Sequence, residues 1–318
     1  MNDAVRSREV RAELEVTERP VIDKTMTAEE ACRLVSDGDH VAIGGTCYSR
    51  SPMALVFGLL RAERRHIAVS RPLSCYEIEL LLASGTADRI VTSWVGIGLR
   101  WGLPRVLRHY VEHGLAVYEE WSHLAIGLRY KAGAMGVPFL PGLSMLGSDL
   151  ARAVQLKTVT CPYTGDQVAA LPALNPDVAL IHVHRADRHG NSQVDGYWHM
   201  DADMARAARK VVVSAEQIVP DDEIKRRPWT TMLPHFAVDA VVEAPFGAYP
   251  AECYGLYEAD FAHFDHYVEQ VRQGGADGAR KYVDENVRAH ADFAAFLREV
   301  GDERLAALGE GARRLMPA

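Results

Sequence analysis

From Thr25 onward, short apolar runs alternate with longer stretches in which apolar residues recur every three or four positions, the spacing of strands followed by helices. Thr27 and Glu30 have the spacing of a capping box, which predicts a helix over 27–35. A turn at 36–39 leads to an apolar strand over 40–43, broken by Gly44 and Gly45; Pro52 then opens a helix over 53–64. Strands follow over 67–70 and 89–95, with a helix over 78–83 between them ending at Gly85. The rhythm resumes with a strand over 117–119, a helix over 124–134, a strand over 178–183, a helix over 200–209 and a strand over 210–215. The run VALIHV at 178–183 is apolar on both alternating faces, as a strand covered on both sides requires.

This alternation predicts an α/β fold: an open, mostly parallel sheet with helices on both faces. Two long connections, 137–147 and 161–176, carry repeated Pro and Gly and are read without strands. Beyond Pro250 the strands stop, and two amphipathic helices are predicted over 260–273 and 279–300, separated by Gly274 and Gly275. The chain is thus divided into a polar N-terminal arm outside the fold (1–24), an α/β domain (25–255) and a C-terminal helical segment (256–318).

Composition narrows the function classes. Thirty-five Lys and Arg against 43 Asp and Glu give a net charge of −8, which argues against a general nucleic-acid binder. The one dense basic run, Lys225-Arg226-Arg227, sits beside Asp221, Asp222 and Glu223 and reads as a solvated helix end. No window approaches the roughly 18 uninterrupted apolar residues of a membrane span. The first twenty residues are charged throughout and are not read as a signal peptide. Five cysteines, with no C-x-x-C pair, fit a reduced cytoplasmic setting and indicate neither a disulfide framework nor a structural zinc site.

Three stretches carry candidate chemistry. The loop GGTCYSRSP at 44–52 follows a strand and precedes a helix, where open α/β sheets bind ligands; its paired glycines allow close approach of backbone N–H groups to an anionic oxygen. It is neither G-x-G-x-x-G nor a P-loop. The stretch EEWSH at 119–123 ends a strand, so at most one of Glu119 and Glu120 faces a given cleft; the alternative is acidic residues complementing a helix N-terminus. His182 and His184 lie on one strand face in an H-x-H spacing open to a metal, but in so apolar a strand they read as hydrogen-bonded core residues, and no metal is assigned. Cys47, inside the glycine loop, lacks a companion histidine fixed by spacing, and Ser49 and Ser51 lack the G-x-S-x-G elbow.

Taken in order, several segments resemble the A (alpha) subunit of class I CoA-transferases, the glutaconate CoA-transferase type. They are DHVAIGG at 39–45 with Arg50 and Pro52, EEWS at 119–122, AGAMGVPFLP at 132–141, PALNPDVALIH at 172–182, and Arg185, Ala186 and Asp187 with Gly190 and Asn191. MARAA at 204–208, VDAVV at 238–242, PFGA at 245–248 and CYG at 253–255 complete the set. The resemblance implies a partner B (beta) subunit, with the site at the interface of the two chains, and transfer of CoA between an acyl-CoA thioester and a carboxylic acid, with CoA as substrate and no permanently bound cofactor. It places the nucleophilic glutamate on the B subunit, and no S-E-N-G-like element occurs here. It gives Gly44 and Gly45 the oxyanion; from their chemistry and position in the loop, Arg50 and Ser49 are expected to bind the substrate, the planar fork of Arg50 suiting a carboxylate. Some members of this fold instead hydrolyse or decarboxylate CoA thioesters. In the ring-opening type a glutamate of the alpha chain acts as base, and Glu120 is the position that matches it.

Overall fold

The computed structural model describes residues 3–315. Among the described residues, twelve strands form two sheets. The large one has nine: β1 (His40–Ile43), β2 (Ile67–Ser74), β3 (Ala87–Val95), β4 (Val117–Glu120), β8 (Val178–Ala186), β9 (Ser192–Gln193), β10 (Lys210–Ile218), β11 (Thr231–Leu233) and β12 (Ala240–Glu243). The small one is made of β5 (Phe139–Gly142), β6 (Thr158–Thr160) and β7 (Gln167–Pro172), all antiparallel. In the large sheet the parallel strands run β12-β10-β8-β1-β2-β3-β4, and the short β9–β11 pair is antiparallel, hydrogen-bonded to the C-terminal end of β8.

This is the architecture the alternating pattern predicts. The side chains of β1 show why: Val41 and Ile43 join one core, while Ala42 joins the other. Eight of the nine residues of β8 are buried. The capping box at Thr27 forms with both of its hydrogen bonds.

Two expectations change. The stretch 1–24 is not an arm outside the fold: its helix Asp3–Val16 packs on the domain, with Val10 fully buried and Arg6 paired to Asp177 at 2.6 Å. The Pro-rich connections contain β5 and β7: Pro172 ends β7, and Pro141 lies in β5, an edge strand of the small sheet, where a missing N–H is tolerated. The helices after Pro250 are one body with the sheet: Phe264, Tyr267 and Tyr282 share the core that contains Phe57 and Tyr76, and Tyr267 reaches across to buried Glu79. Gly275 interrupts the helix Phe261–Val283 with φ 58°. No helix among the described residues is long and apolar enough to cross a membrane.

Because the strands are parallel, the C-terminal ends of β1 to β4 form one crest. The glycine loop leaves it after β1 and Glu120 ends β4. Three inter-strand steps of about 4.8 Å separate them by roughly 14 Å.

Candidate active site

The glycine loop is a tight, strained turn. Thr46 and Ser49 exchange backbone hydrogen bonds at 2.9 and 2.8 Å, leaving Cys47 and Tyr48 at its tip, and Cys47 N–H donates to Leu73 O at 2.9 Å on β2. Gly45 has φ +70°, and Cys47 and Arg50 also sit at positive φ, at 49° and 51°. Non-glycine residues in that region are uncommon and collect at functional sites.

What holds this conformation is a buried ion pair between residues 151 positions apart. Arg50 Nη1 donates to Asp201 Oδ2 at 2.9 Å and to His182 O at 2.8 Å, and Nη2 donates to Tyr197 O at 2.8 Å. The other Asp201 oxygen accepts the Gly45 N–H at 2.8 Å. The Arg50 and Asp201 side chains are 2 % and 0 % exposed, so the pair is sealed from water. A second buried pair lies beneath the loop: Arg71 donates to Glu77 at 2.6 Å and to Ser51 Oγ at 2.7 Å.

These contacts differ from the roles expected of three residues. Gly44 N–H is bound to Leu180 O at 2.8 Å and Gly45 N–H to Asp201, so neither amide is a free donor for an oxyanion. Arg50 is sealed beneath the loop and shapes it, which leaves no exposed fork for a substrate carboxylate. Ser49 is placed differently. It is half-buried, its hydroxyl lies 3.2 Å from His199 Nε2, and Glu252 is zipped beside it by Glu252 N–H to Tyr48 O at 2.7 Å and Arg50 N–H to Glu252 O at 2.9 Å.

Around the loop runs an exposed aromatic rim. Tyr197, whose carbonyl Arg50 holds, is 82 % exposed; Tyr254 and Phe261, 47 % and 46 % exposed, complete it. Phe261 packs edge-on to Tyr48 at 5.7 Å. Three exposed aromatics beside a strained loop have the composition of an interface core.

At the other end of the crest, strand alternation separates the two glutamates. Glu119 is structural: Oε1 accepts from Trp121 Nε1 at 2.7 Å and Arg129 Nη1 at 3.0 Å, and Oε2 accepts from Arg89. Burial pushes its carboxyl up, but the Arg129 charge and the Arg89 and Trp121 hydrogen bonds outweigh this and hold it below the usual range. Arg129 also lies 4.0 Å over the Trp121 ring. Glu120 is half-buried and lines a cavity of about 780 Å³ between β4, the small sheet and the helix Asp149–Ala153. Tyr118, Trp121, Phe139, Leu150 and Leu156 give that cavity a largely apolar wall. Burial, with the Glu120 charge nearby, raises the Tyr118 phenol to about 12.

His182 and His184 are hydrogen-bonded core residues. His182 lies 2.9 Å from Ser214 Oγ and 2.7 Å from Glu216 Oε1, and His184 Nε2 lies 2.9 Å from Tyr254 O. Glu216 in turn accepts from Phe246 N–H at 2.7 Å and from Tyr257. His182, Glu216 and Cys253 come within 4.8 Å of one another, but the two histidines and Glu216 are already held in this network.

Known proteins resemble this chain in sequence and in fold. Residues 25–244 match the family described as Coenzyme A transferase. The chain belongs to the coenzyme A transferase family. The alpha-type (A) subunit of the 3-oxoadipate CoA-transferase of Pseudomonas knackmussii is 32 % identical over 282 residues, covering 87 % of this chain and 98 % of that protein. The crystal structure of glutaconate coenzyme A-transferase from Acidaminococcus fermentans superposes with a TM-score of 0.85 at 30 % identity, over 90 % of this chain and 95 % of that one. An uncharacterized protein of Archaeoglobus fulgidus is 38 % identical over 90 % of this chain, which spans 64 % of that relative's length. A cholesterol ring-cleaving hydrolase subunit of Rhodococcus jostii is 31 % identical over 79 % of this chain and 88 % of its own.

Asp201, His199, Glu252, Arg71 and Glu77 carry no sequence signal that marks them for this site. Asp201 and Glu252 lie roughly 150 and 200 positions from the loop they hold, and no local spacing joins them to it.

Proposed function

We propose that this chain is the A subunit of a two-chain CoA-transferase that moves CoA between an acyl-CoA thioester and a carboxylic acid. The observation that carries this is the half-built site: a rigid, strained loop whose own charges are turned inward, ringed by exposed aromatics. Such a loop shapes a cleft but brings no unengaged carboxylate to attack a thioester. A second polypeptide seated on Tyr197, Tyr254 and Phe261 supplies it. Its glutamate oxygen attacks the thioester carbonyl, the carbonyl oxygen gathers negative charge, and CoA leaves as thiolate, giving an acyl-glutamyl anhydride. The thiolate then attacks the glutamyl carbonyl, releasing the first acid and forming a glutamyl-CoA thioester from which the acceptor acid takes CoA. The unpaired thiols of all five cysteines agree with a reduced, cytoplasmic setting.

The test is co-production with a B-type chain and incubation with an acyl-CoA. A glutamyl-CoA thioester on the B chain, trapped by hydroxylamine or borohydride, is the expected result. Exchange at full rate by this chain alone, or no adduct in the complex, removes the reading.

One observation favours a second reading, hydrolase or lyase chemistry on a CoA thioester with Glu120 as base: of the two adjacent glutamates, Glu120 faces the large apolar cavity without the arginine pairs that tie down Glu119. Under the transferase reading Glu120→Gln leaves CoA exchange within about threefold. Under the hydrolase reading it lowers turnover by about 10²-fold or more, with assembly intact. Steady-state rates on the purified complex separate the two.

A further inference from the structure

Ser49 stands between two groups that neither the loop motif nor the fold explains. His199 Nε2 is 3.2 Å from its hydroxyl. Glu252 is paired with Ser49 across a parallel backbone bridge, which sets its side chain on the same face as that hydroxyl. Both groups are held rigidly. His199 has φ 52° and lies between Tyr197 and Asp201, two of the three residues that Arg50 grips. Glu252 is fixed by backbone hydrogen bonds to the residues on either side of Ser49. Three distant segments thus converge on one hydroxyl, at the part of the glycine loop where a polar side chain reaches the rim.

We propose that Glu252 and His199 are positioning residues that set the direction of the Ser49 hydroxyl, and that Ser49 O–H, not the Gly44 or Gly45 amide, is this chain's donor to the oxygen of the reacting thioester. This rests on the CoA-thioester reading above. With Glu252 ionised, Ser49 donates to the carboxylate and accepts from His199 Nε2–H, so its hydrogen points away from the cleft. With Glu252 protonated, the carboxyl O–H donates to Ser49, and the serine hydrogen is released. An oxyanion in the cleft then takes it, because the imidazole Nε2–H is itself a donor and charge-assisted hydrogen bonds are the stronger ones.

The surroundings allow the switch. Burial pushes the Glu252 carboxyl up, the Ser49 hydrogen bond lowers it, and the Glu258 charge raises it further, for a net upward shift. Burial pushes the His199 imidazole down; Asp201 opposes this, and Arg50 and Arg71 reinforce it, for a net downward shift.

The sign follows. Ser49 contributes on the acid side of the Glu252 titration and stops contributing as pH rises through it. In the A/B complex, the ratio of wild-type to Ser49→Ala kcat/KM should therefore rise about tenfold on acidification, the worth of one hydrogen bond of about 1.4 kcal/mol. Glu252→Gln carries a permanent donor, so it should keep the acid-side activity and flatten the profile. Glu252→Ala should lose activity at every pH. A merely structural role would lower melting temperature and rate together without changing the profile.

In parallel, NMR titration of the His199 imidazole, assigned with His199→Gln, should move in Glu252→Gln and not move further when Ser49→Ala is added. A pH-independent Ser49→Ala ratio in a complex that exchanges CoA overturns this proposal and leaves the CoA reading standing. If the complex exchanges no CoA, that reading falls first and the titration decides the coupling: a His199 curve indifferent to Glu252 overturns it.

Discussion

Asp201→Ala should lower folding stability by about 3–5 kcal/mol, the usual result of removing one partner from a buried ion pair. The change strands two groups at once. Arg50, at 2 % exposure, keeps its charge without its carboxylate, and the Gly45 N–H loses its acceptor in a site closed to water. An unsatisfied buried donor adds about 1–3 kcal/mol. Against a typical total of about 5–15 kcal/mol, the loss is a large fraction of the folding free energy. Asp201→Asn keeps an oxygen for Gly45 but no charge for Arg50, so it should fall between wild type and Asp201→Ala. Replacing both partners with apolar residues, as in Arg50→Met with Asp201→Leu, should recover the part of the loss that comes from the unpaired charge, while the Gly45 N–H stays without its acceptor. It should not recover activity, because the loop loses the contacts that shape it. Chemical denaturation midpoints rank the variants. If Asp201→Ala unfolds within about 1 kcal/mol of wild type, the clamp does not hold the loop.

The clamp lies beyond what local sequence rules can reach. Those rules succeed when cause and effect lie within a few residues. The Thr27–Glu30 box, the apolar run of β8, and Ser122 before the helix His123–Ala134 are all written in contiguous positions. The helix Arg105–Glu112 is not among the predicted elements although Pro104 precedes it and Val106, Leu107, Tyr110 and Val111 form an apolar stripe at helical spacing; its short length and charged outer face make it polar on average. The docked N-terminal helix escapes the pattern because among its described residues Val10 alone is a fully buried hydrophobe while its charges dominate the composition. For the site, chain position correctly singles out the glycine loop, yet what its groups do depends on partners far away in sequence. Arg50 in an exposed loop would be a fork for carboxylates. Placed against Asp201 it becomes an internal clamp. No periodicity encodes that pairing, because it is fixed by the β8–β1 register that brings Leu180 and His182 under the loop. Glu119 and Glu120 are separable in principle by strand alternation, but which of them is tied down is settled by Arg89 and Arg129.

Gly45→Ala should abolish the activity of the assembled enzyme, with a loss of at least about 10²-fold, because the loop cannot keep its path with a side chain there. A Cβ at Gly45 would stand 2.3 Å from Ser49 O and 2.5 Å from Arg50 O. These are backbone atoms on the far side of the same turn, so no rotamer change relieves the clash. Residue 45 also needs φ +70°, which by itself disfavours a residue with a Cβ by about 1–2 kcal/mol. The other end of β1 supplies the control. Gly38 has φ +80° in the turn before the strand, but an added Cβ there meets nothing within 4 Å. Gly38→Ala therefore isolates the backbone penalty, and it should cost about 1–2 kcal/mol while leaving kcat/KM unchanged. The difference between the two variants measures the close packing of the turn alone. Displacement of a reacting group by about 1 Å is enough for a 10²-fold loss, and Ser49 moves if its carbonyl is pushed. Equal activity in Gly45→Ala and Gly38→Ala would mean that the loop tolerates rebuilding and that catalysis does not depend on its shape.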